Sequence, residues 1–227
     1  MTVYVYWKKM SDLSENSKSY GIESDIYKTF SEAEDYPGYI FQYIKNLMFD
    51  KNVLDLGCGN GKYSHLLYPF TTIMGADKSL SQVQRARELS PYVNFVQADC
   101  IALPFFEQFD YVLCCWMLGT LIYSEKQTAA LKEIKKSLKT NGKIILVEND
   151  INSDFEKIRG RDKDSRTQEY NYFLSSNGFS IIKEIDTYFQ FESAEIANNT
   201  FKSIWGDKIQ FELTEPRLQH KVLILSN

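Results

Sequence analysis

Three glycines at alternate positions, Gly57, Gly59 and Gly61, follow an apolar run in the sequence. Glycine permits a tight turn and lets the backbone approach a ligand closely, and the first turn of a helix presents unpaired N–H groups. A dinucleotide loop would read G-x-G-x-x-G, but here Lys62 takes the place of the third glycine. Tyr63 follows it, so the phosphate-binding Gly-Lys-Ser/Thr sequence is absent too. The loop predicts a cradle for a nucleoside with a charged tail rather than for a pyrophosphate.

Two acids follow the loop at positions that suit a nucleoside. Asp77 lies twenty residues after Gly57, at the end of an apolar run, where a carboxylate can accept hydrogen bonds from both ribose hydroxyls. Dinucleotide enzymes use the same position, so this acid alone does not identify the cofactor. Asp99 ends the next apolar run, where a carboxylate can accept from an adenine amino group. The backbone N–H of Cys100 or Ile101 can meet a ring nitrogen there.

These residues together resemble the class I S-adenosylmethionine-dependent methyltransferases. Residues 53–64 are similar to the first motif of that family, whose loop wraps the methionine end of the cofactor. The resemblance implies that Asp55 orders the loop and the ammonium end, and that Gly57 offers its carbonyl to that ammonium. It implies S-adenosyl-L-methionine as cofactor and S-adenosyl-L-homocysteine as product. The cofactor-binding residues that we predict are Asp55, Gly57, Cys58, Gly59, Gly61, Asp77, Lys78, Asp99, Cys100, Ile101 and Trp116.

The elements that must position these residues alternate between strand and helix. Apolar runs of strand length occur at about 53–56, 72–77, 93–99, 109–116, 143–148, 179–185 and 221–225, with helical patterns between most of them. This alternation predicts an α/β fold, a three-layer sandwich with a mostly parallel sheet and helices on both faces. Ligands of such sheets bind beyond the carboxyl ends of the strands. The resemblance implies seven strands, the last one antiparallel between the fifth and the sixth.

The first fifty residues precede this sheet, and we expect them to form an N-terminal helical cap. We therefore divide the chain into a leader or lid, 1–50, and an S-adenosylmethionine-binding domain, 51–227. Apolar spacing predicts helices at about 24–33 and 36–49, with Pro37 in the first turn of the second helix. The resemblance implies that the leader covers the substrate. Tyr20, Tyr27 and Tyr36 are its ring-bearing candidates, although these rings would equally serve to pack the leader on the core.

The acceptor side of the reaction has no recognisable motif. Glu148 and Asp150 flank the end of the fifth predicted strand, where either could orient an acceptor amine or act as a general base. Tyr36 of the leader is a further catalytic candidate. His65 and His220 have no obvious partner in the sequence, and we interpret both as structural.

The residues after the fourth predicted strand argue against several acceptor chemistries. DNA amino-methyltransferases carry an acid or Asn, then Pro-Pro and an aromatic residue at this point, whereas this chain has Cys115, Trp116, Met117 and Leu118. Cys114 and Cys115 lack the proline that precedes a nucleophilic cysteine in cytosine methyltransferases, so we interpret them as packing residues. Catechol-type methyltransferases place an acid here to bind magnesium, and we therefore expect no metal.

Composition and charge further limit the partners and the location that we expect for this protein. The chain has 44% hydrophobic and 25% charged residues, which is typical of a globular protein. Its formal net charge of −4 gives no general attraction to nucleic acid or to anionic membranes. The sequence contains no C-x-x-C pair and no long apolar run, so we expect no membrane span and a cytoplasmic location.

We predict methyl transfer from S-adenosylmethionine to an O, N or C atom of a small-molecule acceptor, without a nucleic-acid or membrane partner. Two alternatives stay open at this stage, namely methylation of a protein or peptide amine and a non-catalytic S-adenosylmethionine-binding protein. A dehydrogenase is disfavoured because Lys62 replaces the third glycine. The oligomeric state cannot be inferred from the sequence.

Overall fold

The computed structural model describes residues 24–121 and 124–227, which form helices around a seven-stranded sheet. The helices are α1 (Ser24–Ala33), α2 (Tyr39–Met48), α3 (Lys62–Leu67), α4 (Leu80–Leu89), α5 (Ser124–Ser137), α6 (Asp154–Ile158), α7 (Ser165–Ser176) and α8 (Ala194–Trp205). The strands are β1 (Asn52–Leu56), β2 (Thr72–Asp77), β3 (Asn94–Gln97), β4 (Phe109–Cys115), β5 (Leu138–Asn149), β6 (Ser180–Gln190) and β7 (Arg217–Ser226). A 3₁₀ turn spans Leu118–Thr120.

The strand order is β3-β2-β1-β4-β5-β7-β6. Strands β1 to β5 pair in parallel, and β7 is antiparallel to both of its neighbours, β5 and β6. The predicted α/β class, the mostly parallel sheet and the insertion of the last strand are therefore confirmed. The chain order reverses between β1 and β4, and such a switch point opens a ligand crevice at the carboxyl ends of the strands.

Helices cover both faces of the sheet, as predicted. On one face α2, α3 and α4 bury side chains that include Ile44, Leu67 and Val83. On the other face α5 and α7 bury side chains that include Ile134 and Leu174. A third, aromatic cluster joins α1, α6 and α8 to the ends of β6 and β7; its rings are Phe30, Phe155, Phe189, Phe191, Phe201 and Trp205. This cluster attaches the leader to the last two strands.

The leader helices form where the sequence predicts them, with one difference at the second start. Helix α2 begins at Tyr39 after Gly38, so Pro37 lies outside its first turn. The start is held instead by the carboxylate of Asp35, which accepts from the N–H groups of Ile40 and Phe41 at 3.2 and 3.1 Å. Such side-chain capping satisfies N–H groups that have no partner within the helix. Tyr20 lies outside the described residues, and the division at residue 50 stays a prediction.

Four later elements differ from the predicted pattern. Helix α6 forms within the polar segment 150–164, where sequence patterns predict no helix, because Ser153 caps it by accepting from the Glu156 N–H at 3.2 Å. Strand β5 begins at Leu138, and its pairing with β4 skips four residues around Asn141, which has φ 67°. The strand therefore starts five residues before the predicted run at 143–148 and contains a bulge at this point. Strands β6 and β7 both extend beyond the predicted runs, to Gln190 and from Arg217. Among the described residues, no helix is long and apolar enough to cross a membrane.

Candidate functional site

The glycine loop after β1 has a backbone that only glycine adopts without strain. Gly57, Gly59 and Gly61 have φ values of 74°, 54° and 81°, all in the left-handed region. A Cβ added to Gly57 would lie 2.2 Å from Cγ of Met117, the second residue after β4. The loop thus presses directly against the segment that follows β4, across the switch point of the sheet.

Asp77 supports this loop from the end of β2. Its Oδ2 accepts from the Gly59 N–H at 2.9 Å, and its Oδ1 accepts from the Ser79 N–H at 2.8 Å. Burial raises the pKa of Asp77, and these N–H groups oppose the rise. The acid predicted to bind ribose therefore lies directly beneath the second glycine of the loop.

Asp55, two residues before the loop, is buried within β1. Its Oδ2 accepts from the Ser64 hydroxyl on α3 at 2.6 Å. Burial raises the pKa of Asp55 to about 6, although the hydrogen bond from Ser64 opposes the rise. This contact joins the strand before the loop to the helix after it, and so fixes both ends of the loop. Cys58 lies within the loop, half-buried, with its Sγ 3.8 Å from the Gly59 carbonyl oxygen.

The predicted adenine-side residues form a rim at the ends of β2 and β3. Lys78 Nζ lies 2.7 Å from Oδ2 of Asp99, and the Ile101 N–H donates to Oδ1 of the same acid at 3.2 Å. Cys100 is half-buried and Ile101 is 39% exposed. The structure therefore brings the predicted residues of β2 and β3 to one edge of the sheet, beside the glycine loop.

Lys62 fastens the leader over this loop. Its ammonium donates to the carbonyl oxygens of Ser31 and Glu34 at 2.5 and 2.6 Å, at the carboxyl end of α1. Such carbonyls lack partners within their helix and attract a cation. Burial lowers the pKa of Lys62. The hydroxyl of Tyr27, also on α1, lies 3.3 Å from where a Cβ of Gly59 would be. We call the contact of Lys62 with the two carbonyls the leader latch.

Trp116 joins a buried polar network at the ends of β4 and β5. It has φ 51°, a strained conformation for a bulky residue. Its indole N–H donates to Oδ1 of Asn149 at 2.6 Å, and Nδ2 of Asn149 donates to Glu156 at 2.6 Å. Arg159 pairs with the same Glu156 carboxylate, and both side chains are buried. His220 Nε2 lies 2.8 Å from Oδ1 of Asn149. We call these five residues the Asn149 network.

The Asn149 network fixes the tautomer of His220. Asn149 Oδ1 already accepts from Trp116, so His220 Nε2 must carry the proton and donate. Burial, with the nearby cations of Arg159 and Lys62, lowers the pKa of His220 to about 3. The neutral ring therefore has a bare acceptor, Nδ1, which is buried and has no partner among the described residues. The sequence suggested no partner for His220, and the structure corrects this by providing Asn149.

Tyr63 is a second buried group with an unused polar atom. Its hydroxyl has no hydrogen-bond partner within the described part of the chain. Its ring lies 6.1 Å from the Trp116 ring, which in turn lies 6.1 Å from the His220 ring. Tyr63, Trp116 and His220 therefore form a row beside the glycine loop, with an unpartnered polar atom at each end.

Glu34 lies beside this row, close enough for its charge to act on Tyr63, and no sequence pattern singles it out. Its side chain is buried, and its carboxyl group is influenced by burial and by nearby charges rather than by a hydrogen bond. Burial raises the pKa of Glu34 to about 7, although the cations of Lys62 and Arg159 oppose the rise. Asp35 follows with φ 51° and is itself held by α2 and by the Thr187 hydroxyl at 2.9 Å.

The three catalytic candidates from the sequence lie apart from one another. Glu148 accepts from the Tyr170 hydroxyl at 2.6 Å, and burial raises its pKa to about 7. Asp150 accepts from a neighbouring backbone N–H at 2.8 Å and lies 3.4 Å from Lys221. Tyr36 is 62% exposed and packs against another surface ring. Each of the three thus contacts a different part of the protein, namely Tyr170 of α7, the segment after β5 and Tyr188 of β6.

Cys114 and Cys115 point to opposite faces of β4 and pack in the two clusters that line the sheet. Within residues 24–121 and 124–227, no three His, Cys, Asp or Glu side chains lie close enough together to hold a metal ion. His65 is exposed on α3.

Comparison with known proteins identifies residues 53–142 as a match to the family profile of a methyltransferase domain. The tRNA (carboxymethyluridine(34)-5-O)-methyltransferase of Saccharomyces cerevisiae is 27% identical over 127 residues, 55% of this chain and 45% of that protein. The trans-aconitate 2-methyltransferase of Paracidovorax citrulli is 35% identical over 80 residues, 34% of this chain and 31% of that protein. The chain thus aligns with less than half the length of these two curated relatives.

The fold is also similar to a solved structure from Thermotoga maritima, which is described as an S-adenosylmethionine-dependent methyltransferase and possible histamine N-methyltransferase. The alignment covers 93% of this chain and 98% of the Thermotoga maritima chain. Its TM-score is 0.60 at 16% identity, a level at which the likeness concerns the fold alone.

Proposed function

We propose that this chain is a class I S-adenosylmethionine-dependent methyltransferase, and that it transfers a methyl group to a small molecule enclosed beneath its leader. S-adenosylmethionine, the cofactor of this domain family, supplies a methyl group that its sulfonium has already activated. The protein then has to bind, orient and exclude water. The residues for each of these tasks belong to two halves of one site.

The donor half consists of the glycine loop and the rim formed by β2 and β3. We assign the ribose to Asp77, the adenine to Asp99 with the backbone at Cys100 and Ile101, and the methionine end to the loop from Asp55 to Gly61. A Cβ at Gly57 would overlap Met117, and one at Gly61 would crowd Ala86 and Phe95, so the glycines let the loop pack closely against its neighbours. A backbone without side chains can also approach a ligand closely. Lys78 and Trp116 complete the proposed contacts.

The leader latch is the observation that supports an acceptor enclosed by the protein. Lys62 holds the end of α1 against α3, next to the glycine loop, and Tyr27 stands over Gly59. An acceptor between the leader and the Trp116 segment would be shielded from water, which strengthens the electrostatic interactions there. We propose that the leader, residues 1–50, is the lid of the site.

The acceptors named for the relatives differ in size, since one is a tRNA nucleoside and the other is trans-aconitate. A protein that grips the RNA backbone neutralises phosphates with lysine and arginine. The net charge of this chain is −4, and the cations beside the site, Lys62, Lys78 and Arg159, are already engaged with protein groups. We therefore favour a small acceptor over a folded RNA.

Calorimetry with S-adenosylhomocysteine tests the donor half. We expect binding to the native chain and about 100-fold weaker binding to Asp77→Ala, because hydrogen bonds to a charged group contribute about 1.5–3 kcal/mol. The matched control is Asp110→Ala. That acid lies at the amino-terminal end of β4, away from the glycine loop, where it accepts from the Asn52 N–H at 2.8 Å. No binding by the native chain, or equal binding by Asp77→Ala, would disprove the proposed cofactor site.

Methyl transfer tests the acceptor half. The protein is incubated with S-adenosylmethionine carrying a labelled methyl group and, separately, with a small-molecule cell extract and with bulk tRNA. We expect label in the small-molecule fraction, and none after the donor-site substitution Asp77→Ala. Label found only in tRNA would contradict the small-acceptor proposal and leave the methyltransferase assignment standing.

A further inference from the structure

We propose that Glu34 is the general base of this site, and that the acceptor is a neutral hydroxyl compound whose proton passes to the Glu34 carboxylate. This inference rests on the function proposed above. It replaces the sequence candidates Glu148, Asp150 and Tyr36 with a leader residue that the sequence did not single out.

The backbone contacts on both sides hold Glu34 in place. Glu34 follows α1 directly, and its own carbonyl is one of the two that Lys62 holds in the leader latch. The next residue, Asp35, is anchored by three hydrogen bonds, from two N–H groups of α2 and from Thr187 of β6. The backbone on both sides of Glu34 is therefore fixed. Its side chain is 7% exposed, so it points inward, towards the site.

The Glu34 carboxyl group differs from the other buried acids. Asp55, Asp77 and Glu148 all accept hydrogen bonds from the protein. Among the described residues, the influences on the pKa of Glu34 are burial and the charges of Lys62, Asp35 and Arg159, with no hydrogen bond among them. A buried carboxyl group without a partner is costly to the fold. A donor supplied by a ligand would remove that cost.

The ionisable groups around Glu34 favour a base that works near neutral pH. They are Lys62 of α3, Asp35 beside it and Arg159 after α6. Tyr63 of α3 and Cys115 of β4 border the same space. Burial is the largest influence and raises the pKa of Glu34 to about 7. A base is most effective when its pKa lies near the working pH.

The same surroundings select the chemistry of the acceptor. A carboxylate acceptor needs no base, and its charge would oppose the charge of Glu34. An ammonium acceptor would face the cations of Lys62 and Arg159. A hydroxyl group is neutral, can donate to Glu34 and can have its developing negative charge stabilised by those cations. The rings of Tyr63 and Trp116 flank the site, so the best fit is a hydroxyl on an aromatic ring, a phenol.

The balance of the step is simple. The acceptor oxygen forms a bond to the methyl carbon, the carbon–sulfur bond breaks, and its electron pair stays on sulfur. The hydroxyl proton moves to a carboxylate oxygen of Glu34. That proton is released to solvent when the product leaves, so no oxidant, reductant or metal takes part.

The test uses two probes that share a ring, 4-methylphenol and 4-methylbenzoate, with trans-aconitate as a second carboxylate. We expect methylation of 4-methylphenol alone. Its kcat/KM should rise with pH and level off above the Glu34 pKa of about 7. In Glu34→Gln we expect kcat/KM to fall about 100-fold and this rise to disappear, because general bases contribute at least this much. Glu34→Asp should recover part of the activity.

A second readout does not depend on turnover. In the complex with S-adenosylhomocysteine at pH 8, calorimetry should show about tenfold weaker binding of 4-methylphenol to Glu34→Gln, the loss expected for one hydrogen bond to a charged group. Binding of S-adenosylhomocysteine itself should be unchanged, which shows that the variant is folded. Glu32→Gln is the matched control, since this acid of α1 is exposed and pairs with Lys28 at 3.9 Å.

The possible results separate the two proposals. Full activity in Glu34→Gln, methylation of the carboxylates instead of 4-methylphenol, or no methylation of 4-methylphenol by a protein that binds S-adenosylhomocysteine would each overturn the assignment of Glu34. Failure of the native chain to bind S-adenosylhomocysteine would instead overturn the proposed function on which this inference rests.

Discussion

The donor and acceptor halves of the site differ in how far their polar groups are satisfied by the protein itself. In the donor half, Asp55, Asp77 and Asp99 all accept hydrogen bonds from the protein. In the acceptor half, Tyr63 and His220 each keep a buried polar atom without a partner among the described residues. One half is complete before any ligand arrives, and the other leaves polar groups open.

This difference reflects how each half is specified by the amino-acid sequence. The donor half depends mainly on contacts within one continuous run of chain, from β1 to the residues that follow β3, and sequence motifs can specify it. The acceptor half is assembled from the leader, α3, α6 and β7, which are distant in sequence. The three experiments below test this contrast, beginning with the largest expected effect.

Asn149→Ala should produce the largest loss of stability. It removes the acceptor of the Trp116 and His220 N–H groups and the donor to Glu156. Each buried group left unsatisfied costs about 1–3 kcal/mol, so we expect a total loss of about 3 kcal/mol in urea unfolding. Asn152→Ala, at an exposed position of the same segment, should change the free energy of unfolding by less than about 0.5 kcal/mol. Similar results for the two variants would mean that the Asn149 network does not stabilise the acceptor half.

Gly57→Ala should damage the donor half. The left-handed φ of 74° costs a residue with a Cβ about 1–2 kcal/mol, and the new Cβ would also overlap Met117. Gly178→Ala separates the two causes, because φ is 85° there and no atom lies within 4 Å of the added Cβ. We expect both variants to lose stability, Gly57→Ala more so, and only Gly57→Ala to lose affinity for S-adenosylhomocysteine. Equal affinity of the two variants would contradict the close contact between the loop and the segment after β4.

The pH dependence of stability should give the smallest effect. The pKa of Glu34 is raised from 4.5 to about 7, so the folded state binds the proton more tightly. Its contribution to stability is therefore fully present below pH 4.5 and is lost as the pH rises to about 7. Glu34→Gln removes the titrating carboxyl group, and with it this loss of stability at higher pH. Between pH 5 and pH 8 the variant should gain about 1–3 kcal/mol relative to the native chain.

The other titrating groups cancel in this difference between variant and native chain. They include His220, whose lowered pKa acts in the opposite direction and destabilises the fold as the pH falls from 6.5 towards 3. Glu148→Gln should shift stability in the same direction as Glu34→Gln, because burial raises the pKa of Glu148 from 4.5 to about 7 as well. A pH-independent difference for Glu34→Gln would show that this carboxyl group does not titrate near neutral pH.

The sequence predicted the mostly parallel sheet and the edge on which the glycine loop and the two acids meet. The resemblance implied that the last strand inserts between the fifth and the sixth. These predictions succeed because strand and helix periodicity is local, and because the carboxyl ends of parallel strands share one edge. Asp77 could be placed from its distance to Gly57 along the chain. Whether Asp77 and its neighbours bind the cofactor stays a prediction that calorimetry must test.

The acceptor half could not be predicted, for identifiable reasons. Lys62 holds two backbone carbonyls, and carbonyls have no residue signature in a sequence. Tyr36 was selected because it is aromatic, yet it is exposed, whereas Glu34, two residues earlier, is buried. The turn that separates their directions depends on Asp35, whose φ is 51° and whose carboxylate caps α2. No local pattern indicates this arrangement.

The position of β7 has a consequence for how the protein folds. His220 reaches Asn149 across 71 residues of chain, and β7 must enter between β5 and β6 to bring it there. Contacts between residues so distant along the chain require a long loop to close, which costs conformational entropy and slows folding. On a ribosome, the donor loop would emerge long before β7. We therefore expect nascent or refolding chains to acquire donor affinity first and an ordered Trp116 only when β7 is in place.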